Sequence, residues 1–189
     1  MSNTTVTPLA GSVSMHGHAP TVSVAEGIAF TPGSKFYEPA LTFVAATAGL
    51  TDIFDSSKPN PLKGKTGVYS GSGTHHAHVD LEAAIDAIRA GALGANAAVE
   101  NLCCMLAVTA WEASGFDASN PDPAVQVLRH MRNAAGHDNR WQFSTGQPKL
   151  PAKWDKFDLV PSMHGGHCFG GAVMPGDLLR LLSHLEPMT

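Results

Sequence analysis

Apolar residues recur at helical spacing in five stretches of the chain. From Tyr37 to Phe54, the positions Leu41, Val44, Ala45 and Ala48 follow the i, i+3, i+4, i+7 spacing of one helix face and predict a first helix, which Gly49 weakens or ends. Leu81, Ala84, Ile85 and Ile88 share a face across Asp80 to Ala90, before Gly91 and Gly94 interrupt it. Ala95 to Ala113 is the most apolar segment, with Val99, Leu102, Cys103, Leu106 and Trp111, and Gly115 is its natural stop. Asp122 supplies a cap and Pro123 a first-turn proline for a helix from Pro123 to about His137. A last helix spans Leu178 to Leu185. Between these lie segments without helical period. Residues 1–35 hold three prolines and read as an irregular arm with a short strand at Thr21 to Val24. Lys58 to Thr74 reads as a loop, with two prolines and four glycines, and residues 144–176 read as loop with short strands. The pattern predicts a mainly α fold: an arm over 1–35, a helical domain over 36–189, and Gly-rich loops.

The Pro123 helix has two unlike faces. On an ideal helix at about 100° per residue, Gln126, Arg129, His130, His137 and Arg140 fall within roughly 60° of Asn133. Ala124, Val127, Leu128, Met131 and Ala135 fall opposite, and Arg132 flanks the polar strip. A solvated face usually mixes Glu with Lys. No acid stands between Val125 and His137.

Composition sharpens this. Hydrophobic residues make up 43% of the 189 and charged residues 15%, the balance of a folded chain with a core. The net charge of −4 argues against a general nucleic-acid coat. The charge is uneven, however. Residues 129–156 carry six of the twelve Lys/Arg against two acids, a local +4, while residues 1–128 stand at −6. The picture is a small anion site on an acidic body. The first residues lack the basic start and apolar stretch of a signal peptide, and no apolar run is long enough to span a membrane. Three cysteines, two of them adjacent, argue for a reducing compartment and against a disulfide framework. These readings predict a cytoplasmic protein.

The sequence Arg132-Asn133-Ala134-Ala135-Gly136-His137, at the end of a late helix, resembles the Arg-x4–6-His signature of HEPN domains, including the polar residue after the Arg. The long apolar helix before it is similar to the family's pairing of an earlier core helix with the motif helix. The resemblance covers roughly residues 80–186. It implies a HEPN-like helical bundle, a homodimer with facing motif helices, and metal-independent RNA cleavage by attack of the ribose 2′-oxygen on its own phosphate, with no cofactor and no metal. It implies a defence or toxin setting, with RNA and an antitoxin or defence-complex subunit as partners. In such a site His137 does the proton transfer, since imidazole titrates near neutrality. Arg132 faces the developing charge on phosphorus with forked donors. Asn133 orients either. Arg129, His130, Arg140 and Trp141 are candidates for holding RNA.

Other readings of these residues stay open. Arg132 could pair with an acid on a neighbouring helix, and His137 could cap the helix end. The same fold could bind RNA or nucleotide, or serve as an assembly subunit, without cleaving. His75-His76-x-His78 and His164-Gly-Gly-His167-Cys168 invite zinc, but their spacings match no finger or ribbon. Cys103 and Cys104 read as small core residues. Gly64 and Gly67 lack P-loop spacing.

Overall fold

The computed structural model describes residues 22–25, 28–70, 76–144 and 151–189. Among these are five α-helices and three two-stranded antiparallel sheets, so the fold is mainly α. The described chain packs as two compact units, one built on residues 48–95, the other on 22–47 and 96–189. Most of the expected arm, and Lys149 of the basic cluster, lie outside the described residues.

The larger unit contains β1 (Val22–Ala25), β2 (Ile28–Phe30), most of α1 (Tyr37–Phe54), α3 (Ala95–Ser114), α4 (Pro123–Ala135), β5 (Lys153–Trp154), β6 (Phe157–Asp158) and α5 (Pro175–Leu185). Helix α3 buries Cys103, Leu106, Ala107 and Ala110 on one face and ends at Gly115, whose φ of 71° only glycine adopts without strain. Helix α4 starts where the cap signal placed it. The Asp122 carboxylate accepts hydrogen bonds from the amides of Ala124 (2.8 Å) and Val125 (3.1 Å), and Pro123 occupies the first turn. Helix α5 is held in the reverse sense, with Asp177 in its first turn accepting through its carboxylate from the amide of Met174, the residue before the helix, at 3.0 Å. It buries Leu178, Leu179, Leu181, Leu182 and Leu185, each contributing about 2 kcal/mol of apolar burial. They join Val125, Leu128 and Met131 of α4, together with Phe30, Phe36 and Phe169, in one core.

Three expectations change here. The stretch expected as an irregular arm up to residue 35 reaches the core, where Ile28 and Phe30 of β2 are buried. The inward face of α1 is also turned from the predicted one: Ala40 and Phe43 are buried while Leu41 is 40% exposed. Gly49 does not end α1, which continues to Phe54.

The smaller unit has the remainder of α1, the hairpin of β3 (Thr66–Ser70) and β4 (His76–Asp80), and α2 (Leu81–Ala87), which runs on through a π-turn over Ile88–Ala92. The stretch read as a loop is thus partly a strand, paired Gly67 to Val79 and Tyr69 to Ala77. Polar bonds dominate this unit. Asp80 caps α2 through the Ala83 amide (2.9 Å). The Arg89 guanidinium donates to the carbonyls of Asp52, Ile53 and Lys58, each at 3.0 Å. Asn60 donates to Asp86 (2.9 Å) and Glu82 accepts from the Gly64 amide (2.7 Å). Ile85 is the one fully buried apolar side chain among its described residues.

No helix among the described residues is by itself long and apolar enough to cross a membrane.

Candidate functional site

The end of α4 gathers the motif. After Ala135 the helix tightens: the Gly136 amide donates to the carbonyls of Arg132 (3.3 Å) and Asn133 (3.1 Å), and the His137 amide to Ala134 (3.0 Å). Asp138 and Asn139 then take left-handed φ values of 54° and 56° and reverse the chain. Such values are tolerated best by residues of the Asn/Asp type. Asn139 repays the strain with a two-way clamp. Its Oδ1 accepts from the Phe169 amide (2.8 Å), its Nδ2 donates to the Phe169 carbonyl (2.9 Å), and its own carbonyl accepts from the Cys168 amide (2.9 Å). Trp141 continues the pairing, donating to the Gly166 carbonyl (2.9 Å) and accepting from the Gly165 amide (2.8 Å).

This fold-back sorts the candidate residues. His137 is exposed at the reversal, and its imidazole has no hydrogen-bond or ion-pair partner among the described residues. Asn133 is half-buried one turn earlier. Arg132 reaches α3, where its Nη2 lies 3.1 Å from Glu112 Oε1 with both side chains largely in solvent (42% and 62% exposed). An exposed pair of this kind is worth about 0–1 kcal/mol, so it holds the guanidinium without locking it. Arg140 is exposed and donates to the Gly165 carbonyl at 2.9 Å. Arg129 is half-buried and donates to Gln126 Oε1 at 3.2 Å. Arg132, Asn133, His137 and Arg140 thus sit on one stretch of accessible chain.

His130 and Trp141 do not join them. Both are buried, with 0% and 1% exposure, so neither meets RNA in this conformation. Phe143 covers both, edge-on to His130 with ring centres 5.1 Å apart and stacked on Trp141 at 6.3 Å. Both ring nitrogens of His130 and Nε1 of Trp141 lack hydrogen-bond partners among the described residues. Burial, aided by the neighbouring Arg129 charge, pushes the His130 pKa down to about 4, which keeps the imidazole neutral at physiological pH. The polar strip on the helix wheel is therefore half core. The chain beyond the helix returns to cover it, and residue spacing within the helix carries no trace of that return.

The other histidines are scattered. His76 and His78 lie on β4, while His75 falls outside the described residues. His164 Nδ1 accepts from the Phe143 amide at 3.0 Å. His167 Nε2 lies 3.1 Å from Asn139 Nδ2 and 3.6 Å from Glu100 Oε2. Among the described residues no group of three or more His, Cys, Asp or Glu is arranged to hold a metal ion. Cys103, Cys104 and Cys168 are free. Burial pushes the Cys103 thiol up to about 12 and raises those of Cys104 and Cys168 as well. All three stay protonated at neutral pH and are poor nucleophiles. Sequence reasoning missed Glu112 and Glu100. Each sits on the apolar helix α3, where nothing in the local pattern says what an acid faces. Comparison with protein-family models, curated proteins and solved structures finds no match to this chain.

Proposed function

We propose that the chain is a HEPN-type helical protein that binds RNA at the end of α4 and cleaves it without a metal ion. The observation that carries this reading is the exposed His137 imidazole, without a partner among the described residues and held at a fixed chain reversal one helical turn after Arg132 and Asn133. In the proposed reaction a base takes the 2′-hydroxyl proton and the 2′-oxygen bonds to phosphorus. The bond from phosphorus to the 5′-oxygen breaks, and an acid returns a proton to that oxygen, leaving a 2′,3′-cyclic phosphate. His137 supplies the proton transfer, Arg132 the charge opposite the phosphorane, Asn133 the orientation, and Arg140 with Arg129 hold the backbone. One chain offers one such histidine. A homodimer with the two α4 ends face to face supplies two, one for each proton. The setting we infer is a cytoplasmic defence or toxin system, with an antitoxin or other complex subunit as a further partner.

The Arg132–Glu112 ion pair favours a second reading, in which the same surface binds RNA without cleaving it. Incubation of end-labelled single-stranded RNA with the protein in EDTA separates the two. Cleavage by the wild type that falls about 10²–10³-fold in His137→Ala and in Arg132→Ala supports the first. Binding without cleavage supports the second. Equal cleavage by wild type and His137→Ala sinks the assignment of His137.

A further inference from the structure

Next to the Asn139 side chain, the larger unit carries a cleft of about 170 Å³ between the first half of α3 and the turn that enters α5. Val99, Cys103, Met174 and Pro175 form its apolar walls, and Asn96, Glu100 and Gly170 complete it. The Cys103 thiol, protonated at neutral pH, adds no charge. Glu100 is the one acidic or basic side chain in the lining.

The two oxygens of Glu100 differ. Oε2 is engaged at 3.4 Å by Asn139 Nδ2 and lies 3.6 Å from His167 Nε2. Asn139 has no freedom to turn, because its amide is fixed by donating to and accepting from the Phe169 backbone. Oε1 points the other way, over Gly170, where a Cβ would overlap the carboxylate. Among the described residues nothing donates to Oε1, and no lysine or arginine pairs with Glu100. Its side chain is only 26% exposed. Oε1 is open to solvent at the cleft and has no protein donor among the described residues, and against apolar walls the group that pairs with it best is a cationic N–H.

We propose that this cleft binds a small organic cation, an alkylammonium or amidinium with a compact apolar body. Its N–H groups donate to Glu100 Oε1, and its body packs on Val99, Met174 and Pro175. The proposal does not rest on RNA binding at α4. An NMR titration of the full chain with cyclohexylammonium chloride tests it, with cyclohexanol as the neutral control of similar shape. The expected result is a saturable shift of the amides of Val99, Glu100, Gly170 and Met174, with cyclohexanol at least about tenfold weaker. Glu100→Gln, close in shape, should weaken the cation about tenfold and leave the alcohol unchanged. Met174→Ala, at an exposed position, should weaken both ligands. Equal affinity for cation and alcohol in the wild type overturns the proposal, as does the absence of a saturable shift at these residues. Unchanged cation binding by Glu100→Gln overturns it too.

Discussion

The two units of this chain are held by different forces. In the larger one, aromatic and leucine side chains from β2, α4 and α5 fill one core, and α4 is packed into it along its apolar face. In the smaller one, capping carboxylates and the Arg89 fork hold the elements together around the one isoleucine buried among its described residues. Tyr69 and Val79 of its hairpin remain open to solvent at 59% and 37%. A two-stranded hairpin has little stability of its own. The lesson is that the motif residues ride on the part of the molecule whose geometry is set by burial. The hairpin belongs to the part whose geometry is set by exposed polar bonds, each worth about 1 kcal/mol.

Core truncation tests that contrast with the largest effect. Leu128→Ala should cost about 2–5 kcal/mol in urea denaturation. Val79→Ala should stay within about 0.5 kcal/mol. A Val79 cost near that of Leu128 would break the contrast and show the hairpin packed in solution. Acid should act next, through His130. Its folded pKa of about 4 lies below the unfolded value of 6.5, so the unfolded chain binds the proton first. Stability is then fully present above pH 6.5, declines as pH falls towards 4, and levels off below that. The loss from this one group is about 3 kcal/mol. Denaturation curves of wild type and His130→Leu over that range should show the His130 component absent in the variant. Parallel curves would mean that His130 is hydrated in solution. The smallest effect is at the cap. Asp122→Ala should cost about 1 kcal/mol by the same measurement, since it leaves the Ala124 and Val125 amides without their acceptor. No loss would mean that core packing alone sets where α4 begins.

The residues that define helix starts and stops were legible because their signals are local. Asp122 and Pro123 open α4 and Gly115 closes α3, and α1 was legible as a helix over Tyr37 to Phe54 although its inward face is not the one its apolar spacing named. Gly49 misled because one glycine costs a helix interior only about 1 kcal/mol, less than its neighbours regain. The β3–β4 hairpin carried a signal that its glycines obscured: two short runs, Thr66 to Ser70 and His76 to Asp80, on either side of a Gly/Ser stretch. His130 and Trp141 were misjudged for a deeper reason. Which side of α4 faces water is decided by Phe143 and by the segment around Gly166, both beyond the helix and joined to it by a chain reversal. The Glu112 partner of Arg132 lies 20 residues away, a distance that no periodicity bridges.

The clamp that Asn139 makes on Phe169 changes what a ligand at His137 would have to order. A helix end that frays must surrender backbone freedom when something binds there, about 1–2 kcal/mol for each residue fixed. Here Asp138 and Asn139 are already committed to one conformation by bonds that span 30 residues of chain. Only the rotamers of His137 and its neighbours remain to be fixed. The entropy of presenting this imidazole has been spent during folding, so any ligand of the proposed kind would meet a side chain that is free to turn on a backbone that is not.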